Sequence, residues 1–228
     1  MNRGFFISIN CIFLEQLTQI PIHIYAIALS LLASLFIVSS KDIPPFLKLF
    51  PFFLFLTLLV ELTGALLMAT NNTPLYNFFS IFEFVFYLYI IKNIIHNKSV
   101  RTIITIVMVL YPITALINIF FILGSVNKLH ITTYSLGCLI IVIFSIYYFY
   151  ELFRSTASVN LKREPAFWII TGLLFFYTCS FPIFGFANFI SVVIAKNIGA
   201  VLVIINVILY VLFAVAFLCR TRIQRSLL

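Results

Sequence analysis

Residues 58 to 87, "LLVELTGALLMATNNTPLYNFFSIFEFVFY", place two glutamates, Glu61 and Glu83, in two apolar runs joined by a short polar turn. A carboxylate in such surroundings has three chemical uses: it pairs with a cation, carries a proton, or serves as a general acid or base. It can also do no more than hydrogen-bond between helices and hold them together. Read as helices, the two runs meet at the turn, and each glutamate lies about eight residues from it, ~12 Å at the helical rise. A turn as short as "TNNTP" makes the helices antiparallel neighbours, so the carboxylates are expected level with each other on one seam. Tyr76, Ser80, Glu83 and Tyr87 form one helical stripe, and Thr57, Glu61, Gly64 and Met68 another, with Gly64 permitting close approach. Two facing carboxylates in a medium of low dielectric need a shared proton or a bound cation between them.

The elements that must position this pair follow from composition. Of the 228 residues, 64% are hydrophobic and only 9% charged, and the mean hydropathy is +1.20. These values lie outside the range of soluble domains and predict an all-α, polytopic membrane protein. Seven spans are expected, at Ile22–Ser39, Leu49–Ala69, Leu75–Ile95, Thr102–Gly124, Ile131–Glu151, Ala166–Ala187 and Asn197–Cys219. Polar breaks such as "KDIPP", "TNNTP", "HNKSVR" and "SVNKLH" separate them, and "LFRSTASVNLKREP" is the longest. The first span is short, and the count falls to six if that segment only lies in the interface. Residues 1–21, with "GFFISINCIFL", are read as an interfacial segment packed on a bundle of residues 22–219. A short basic cytoplasmic tail, 220–228, ends the chain.

Charge sets the expected orientation. Eleven Lys and Arg residues, Lys41 through Arg225, fall on the side reached after the odd-numbered spans, against three, Arg3, Lys128 and Lys196, on the other. The positive-inside rule then places the C-terminus in the cytoplasm and the N-terminus outside, with the protein a multi-pass component of the plasma (inner) membrane. The net charge of +8 sits in these topology-setting clusters between apolar runs, which excludes nucleic acid as a partner.

Further polar groups share the outer half of the bundle. Ser80 sits one turn from Glu83, Asn118 nears the outer end of the fourth span, Tyr177 opens "YTCS" in the sixth, and Asn206 lies inside the seventh. With Glu61 and Glu83 they are the candidate ligand- or proton-binding residues of an outward-facing polar cavity. The inner halves are plainer, with Tyr111, Thr171 and Tyr210 their main polar side chains. Tyr147, Tyr148 and Tyr150 read as an interfacial belt and Glu151 as a rim charge. His23 and His130 both fall at the outer rim, too few ligands for a metal site, and no metal or cofactor is expected. There is no HExxH, no G-x-S-x-G and no lysine in the last span, and the four cysteines show no paired spacing.

Catalytic residues are not identifiable, and three function classes stand. The first, favoured, is a small transporter or receptor-like binder of a small polar or cationic ligand or proton. The second is an intramembrane lipid-modifying enzyme with the two carboxylates as acid and base. The third is a non-catalytic subunit for a membrane protein partner. In each, the lipid bilayer is the immediate surrounding.

Overall fold

The computed structural model describes residues 21–38, 44–66, 72–154, 161–186 and 192–225. Among them the fold is all-α, without strands. The helices are α1 (Ile22–Val38), α2 (Phe50–Leu66), α3 (Thr73–Ile94), α4 (Lys98–Ile117), α5 (Ile131–Arg154), α6 (Pro165–Gly185) and α7 (Val192–Arg225). A one-turn helix, Pro45–Lys48, leads into α2, and a π-helical stretch, Asn118–Ile122, prolongs α4.

Six of these helices, α2 to α7, are long and apolar enough to cross a membrane. α1 is shorter: its 17 residues span ~25 Å, against a hydrocarbon core of ~30 Å. It is nevertheless built into the bundle, for its Ile27 and Ala33 are buried in the common core and it packs on both α7 and α2. The N-terminal interfacial segment lies outside the described residues apart from Pro21. α7 carries on beyond the expected end of the last span, so the backbone of the basic tail is helical as far as Arg225.

Local signals account for the helix ends. Pro74 and Pro165 occupy first-turn positions of α3 and α6, where a missing N–H costs nothing. Asn97 caps α4 by accepting from the N–H groups of Ser99 and Val100. Glu151 does more than the rim charge expected of it. Its two oxygens accept the backbone N–H groups of His96 and Asn97, each at 3.0 Å, and so tie the end of α5 to the α3–α4 turn. The loop between α4 and α5 turns at Gly124, whose φ of 61° suits a residue without a side chain.

α1, α7, α6 and α5 follow one another around the bundle, with α2 against α1 at one flank. α3 packs on α4 and α5 and buries residues on most of its circumference, whereas α4 is peripheral and buries only Ile104, Tyr111 and Ala115 before its π-helical end. Direct packing between α2 and α3 is sparse and concentrates in an aromatic cluster. Phe53 stacks on Phe86 with centroids 4.0 Å apart, and Phe50 meets Phe86, Phe213 and Phe217 edge-on at 5.3 to 5.4 Å. Above this cluster the two helices part and leave a cavity.

Candidate functional site

The cavity, about 290 Å³, is formed by α2, α3, α5, α6, α7 and the loop before α5. Half-exposed Leu129 lies at its lip. Of the expected site residues, Glu61, Ser80, Glu83 and Asn206 line it. Tyr177 is fully buried and stands behind the wall, its ring packed on Phe84 and Tyr87. Asn118 lies apart: it opens the π-helical end of α4 and adjoins the small core of Ile81, Ala115 and Ile119, with its Oδ1 buried and unpartnered.

The register of α2 against α3 corrects the expectation of a level pair. Gly64 and Glu61 face Tyr76, and Phe53 faces Phe86. Glu83 therefore sits opposite the stretch around Thr57, about five residues or ~7.5 Å deeper than Glu61. The two carboxylates are stacked along the cavity.

The upper one is partnered. His23 Nε2 of α1 lies 3.3 Å from Glu61 Oε2, and the Tyr76 hydroxyl donates to the same oxygen at 3.5 Å. Tyr76 reaches it because Gly64 presents no side chain; a Cβ there would collide with the tyrosine hydroxyl. His23 thus pairs across to α2 and does not meet His130, and no cluster of metal-binding side chains occurs among the described residues.

The lower carboxylate is surrounded by tyrosines from five helices. The buried Tyr87 hydroxyl stands beside Glu83, close to hydrogen-bonding distance of its carboxyl. Tyr111, Tyr134, Tyr177 and Tyr210 lie within electrostatic range of the same carboxyl, and the hydroxyls of Tyr111 and Tyr177 are buried and unpartnered. Tyr210 lines the same cavity as both Glu61 and Glu83. Among the described residues, no lysine or arginine lines the cavity. Six of its fifteen lining residues carry benzene rings, Tyr76, Phe79, Tyr134, Phe176, Phe184 and Tyr210, and Tyr134 and Phe184 close one wall at 4.4 Å. Asn206 gives its Nδ2 to Leu202 O, which keeps Oδ1 available to an occupant.

Sequence reasoning missed the histidine that braces the mouth. His130 Nδ1 lies 2.7 Å from Thr133 Oγ1 and Nε2 lies 2.9 Å from Ser80 Oγ. Thr133 Oγ1 donates to the His130 carbonyl, so it accepts from His130 Nδ1–H, while the single hydroxyl proton of Ser80 lies between two acceptors, the Asn77 carbonyl at 3.0 Å and His130 Nε2. Asn77 completes the brace by donating to the carbonyls of Val126 and Lys128, both at 2.9 Å. Burial pushes His130 below the ordinary imidazole value, with the Asn77 contact acting in the opposite sense. The signal for this network was only the polar opening of α5; its partners are some fifty residues away in the chain. Tyr210, assigned to the plainer inner half, belongs to the cavity wall, one helical turn below Asn206 on α7.

No known protein family, curated protein or solved structure matches this chain. The fold and site by themselves define an all-helical protein compatible with a multi-pass membrane protein, with one partly open, acidic and aromatic cavity near the α2–α3 and α4–α5 loops.

Proposed function

We propose that this protein is a small transporter or receptor-like binder that takes up a small cation or a proton in an outward-facing cavity, with Glu83 as the group that holds the charge. The observation that carries this reading is a carboxylate lining a cavity in the apolar bundle with no lysine or arginine among the described lining residues, a costly arrangement unless a cation or proton occupies it. Glu61 plays a second part, because His23 and Tyr76 already engage its Oε2. Ser80 and Asn206 supply neutral polar contacts, whereas Tyr177 and Asn118 serve packing. In this reading α1 crosses with the other six helices, the N-terminus faces outside, and the C-terminus lies in the cytoplasm of a cell whose plasma membrane holds the protein.

The test is titration of purified protein in nanodiscs, following intrinsic tyrosine and tryptophan fluorescence against pH and against sodium or potassium. Wild type is expected to show a transition that Glu83→Gln removes, because Gln keeps the volume but cannot titrate. Glu61→Gln is expected to shift the transition, and the double variant to be no worse than Glu83→Gln alone. An unchanged transition in Glu83→Gln, with the protein folded, overturns the reading.

A further inference from the structure

The chemistry of the cavity narrows the cation. Resting on the reading of Glu83 as the charge-holding group, we infer that the occupant is an organic ammonium group, held by Glu83 at one end and by the faces of the surrounding aromatic rings.

A hard metal ion is poorly served here. Calcium requires six to eight oxygen ligands and magnesium a near-ideal octahedron. The two lining carboxylates lie ~7.5 Å apart in depth, so a metal at Glu83 would have only Asn206 Oδ1 and tyrosine hydroxyls to complete its shell, for Thr57 Oγ1 is spent on Phe53 O and Ser80 Oγ is engaged with Asn77 O and His130. An alkylammonium asks for different surroundings: one counter-charge, few directional acceptors, and aromatic faces within about 6 Å of the positive centre. Six of fifteen lining residues are aromatic, and Tyr210 stands within the field of both carboxylates. Glu61 is already engaged by His23 and Tyr76, which leaves Glu83 as the lining carboxylate open to one cation. The volume, about 290 Å³, sits at the small end of ligand pockets and suits a compact head group. That head group can belong to a free amine or to an amine-bearing lipid whose chains remain in the bilayer.

The experiment uses the full chain in nanodiscs of phosphatidylglycerol, with thermal unfolding as the readout. Choline is compared with its uncharged isostere, in which a quaternary carbon replaces the nitrogen, and with sodium chloride at equal ionic strength. Choline is expected to raise the melting temperature in a saturable way and the two controls are not. Glu83→Gln should weaken choline binding by about thirtyfold or more, and Tyr210→Leu by about tenfold, while Tyr210→Phe, which keeps the ring face, stays within about twofold. In phosphatidylethanolamine nanodiscs, a raised starting stability with no further choline effect assigns the head group to lipid. An undiminished choline effect assigns it to a free amine. If the isostere stabilises as well as choline, or if neither choline nor phosphatidylethanolamine stabilises wild type, the ammonium assignment is wrong; this comparison needs no variant to fold. A Glu83-dependent response to protons or sodium alone would overturn the ammonium while leaving the proposed function standing, and loss of that response too would remove both.

Discussion

Glu83 and Glu61 illustrate what single residues reveal. Each was legible as a rare ionisable group in an apolar run, since the cost of placing it there is a property of the residue and its immediate surroundings. Their partners were not legible. The His23–Glu61 contact joins residues 38 apart and the Glu151 contacts join residues 54 and 55 apart, and only packing decides such meetings. Glu151 caps the start of α4 from another helix, placing negative charge where backbone donors converge. Glu151→Ala is therefore expected to cost about 1 kcal/mol of stability through two lost hydrogen bonds at a solvent-exposed turn, read by thermal unfolding in detergent; an unchanged melting temperature would show that water replaces the carboxylate at no cost. His130 makes a prediction with a sign. Its folded value is lowered, so the unfolded chain binds more protons as the ring titrates. The stability that depends on neutral His130 is present above about pH 6.5 and lost as pH falls through the folded value. Wild type should lose more stability between roughly pH 7.5 and 5 than His130→Gln does, and parallel curves would deny His130 this role.

Among the helices, six lengths and their order were readable because a bilayer demands some twenty apolar residues per span and the breaks carry polar, Pro and Asn signals. The depth of one helix against another was not, because the turn fixes the neighbour but not the slide. Two glycines and one aromatic stack set that slide. At Gly64 a methyl group would run into the Tyr76 hydroxyl, and at Gly137 it would lie 2.8 Å from both Phe84 Cζ and Tyr111 Oη. Gly137→Ala is expected to destabilise by about 1–3 kcal/mol as overpacking. For Gly64→Ala the cost should arise almost wholly from Tyr76, so the same substitution in a Tyr76→Ala background should cost close to nothing. A double-mutant cycle on unfolding temperature measures this coupling, and an additive result would mean that Gly64 serves some contact other than Tyr76.

At the scale of the whole molecule, Phe50, Phe53, Phe86, Phe213 and Phe217 converge about one turn below Thr57, the deepest residue of α2 in the cavity wall, and form its floor in the proposed reading. These rings lie toward the starts of α2 and the ends of α3 and α7, on the side that the charge asymmetry assigns to the cytoplasm. A receptor-like binder can keep this floor shut; a transporter has to open it, and the Phe53–Phe86 stack is where α2 and α3 must separate. Asn206→Cys, in a chain whose native cysteines Cys11, Cys138, Cys179 and Cys219 are replaced by serine, puts a thiol in the cavity wall above the floor. A membrane-impermeant thiol reagent is expected to reach it in vesicles that expose the "TNNTP" turn, and to fail in vesicles of opposite orientation, where Arg225 is exposed. Protection in the first and labelling in the second would invert the topology. Labelling from both sides would mean that the aromatic floor opens, which makes the protein a carrier; one-sided labelling that persists with choline present would make it a binder.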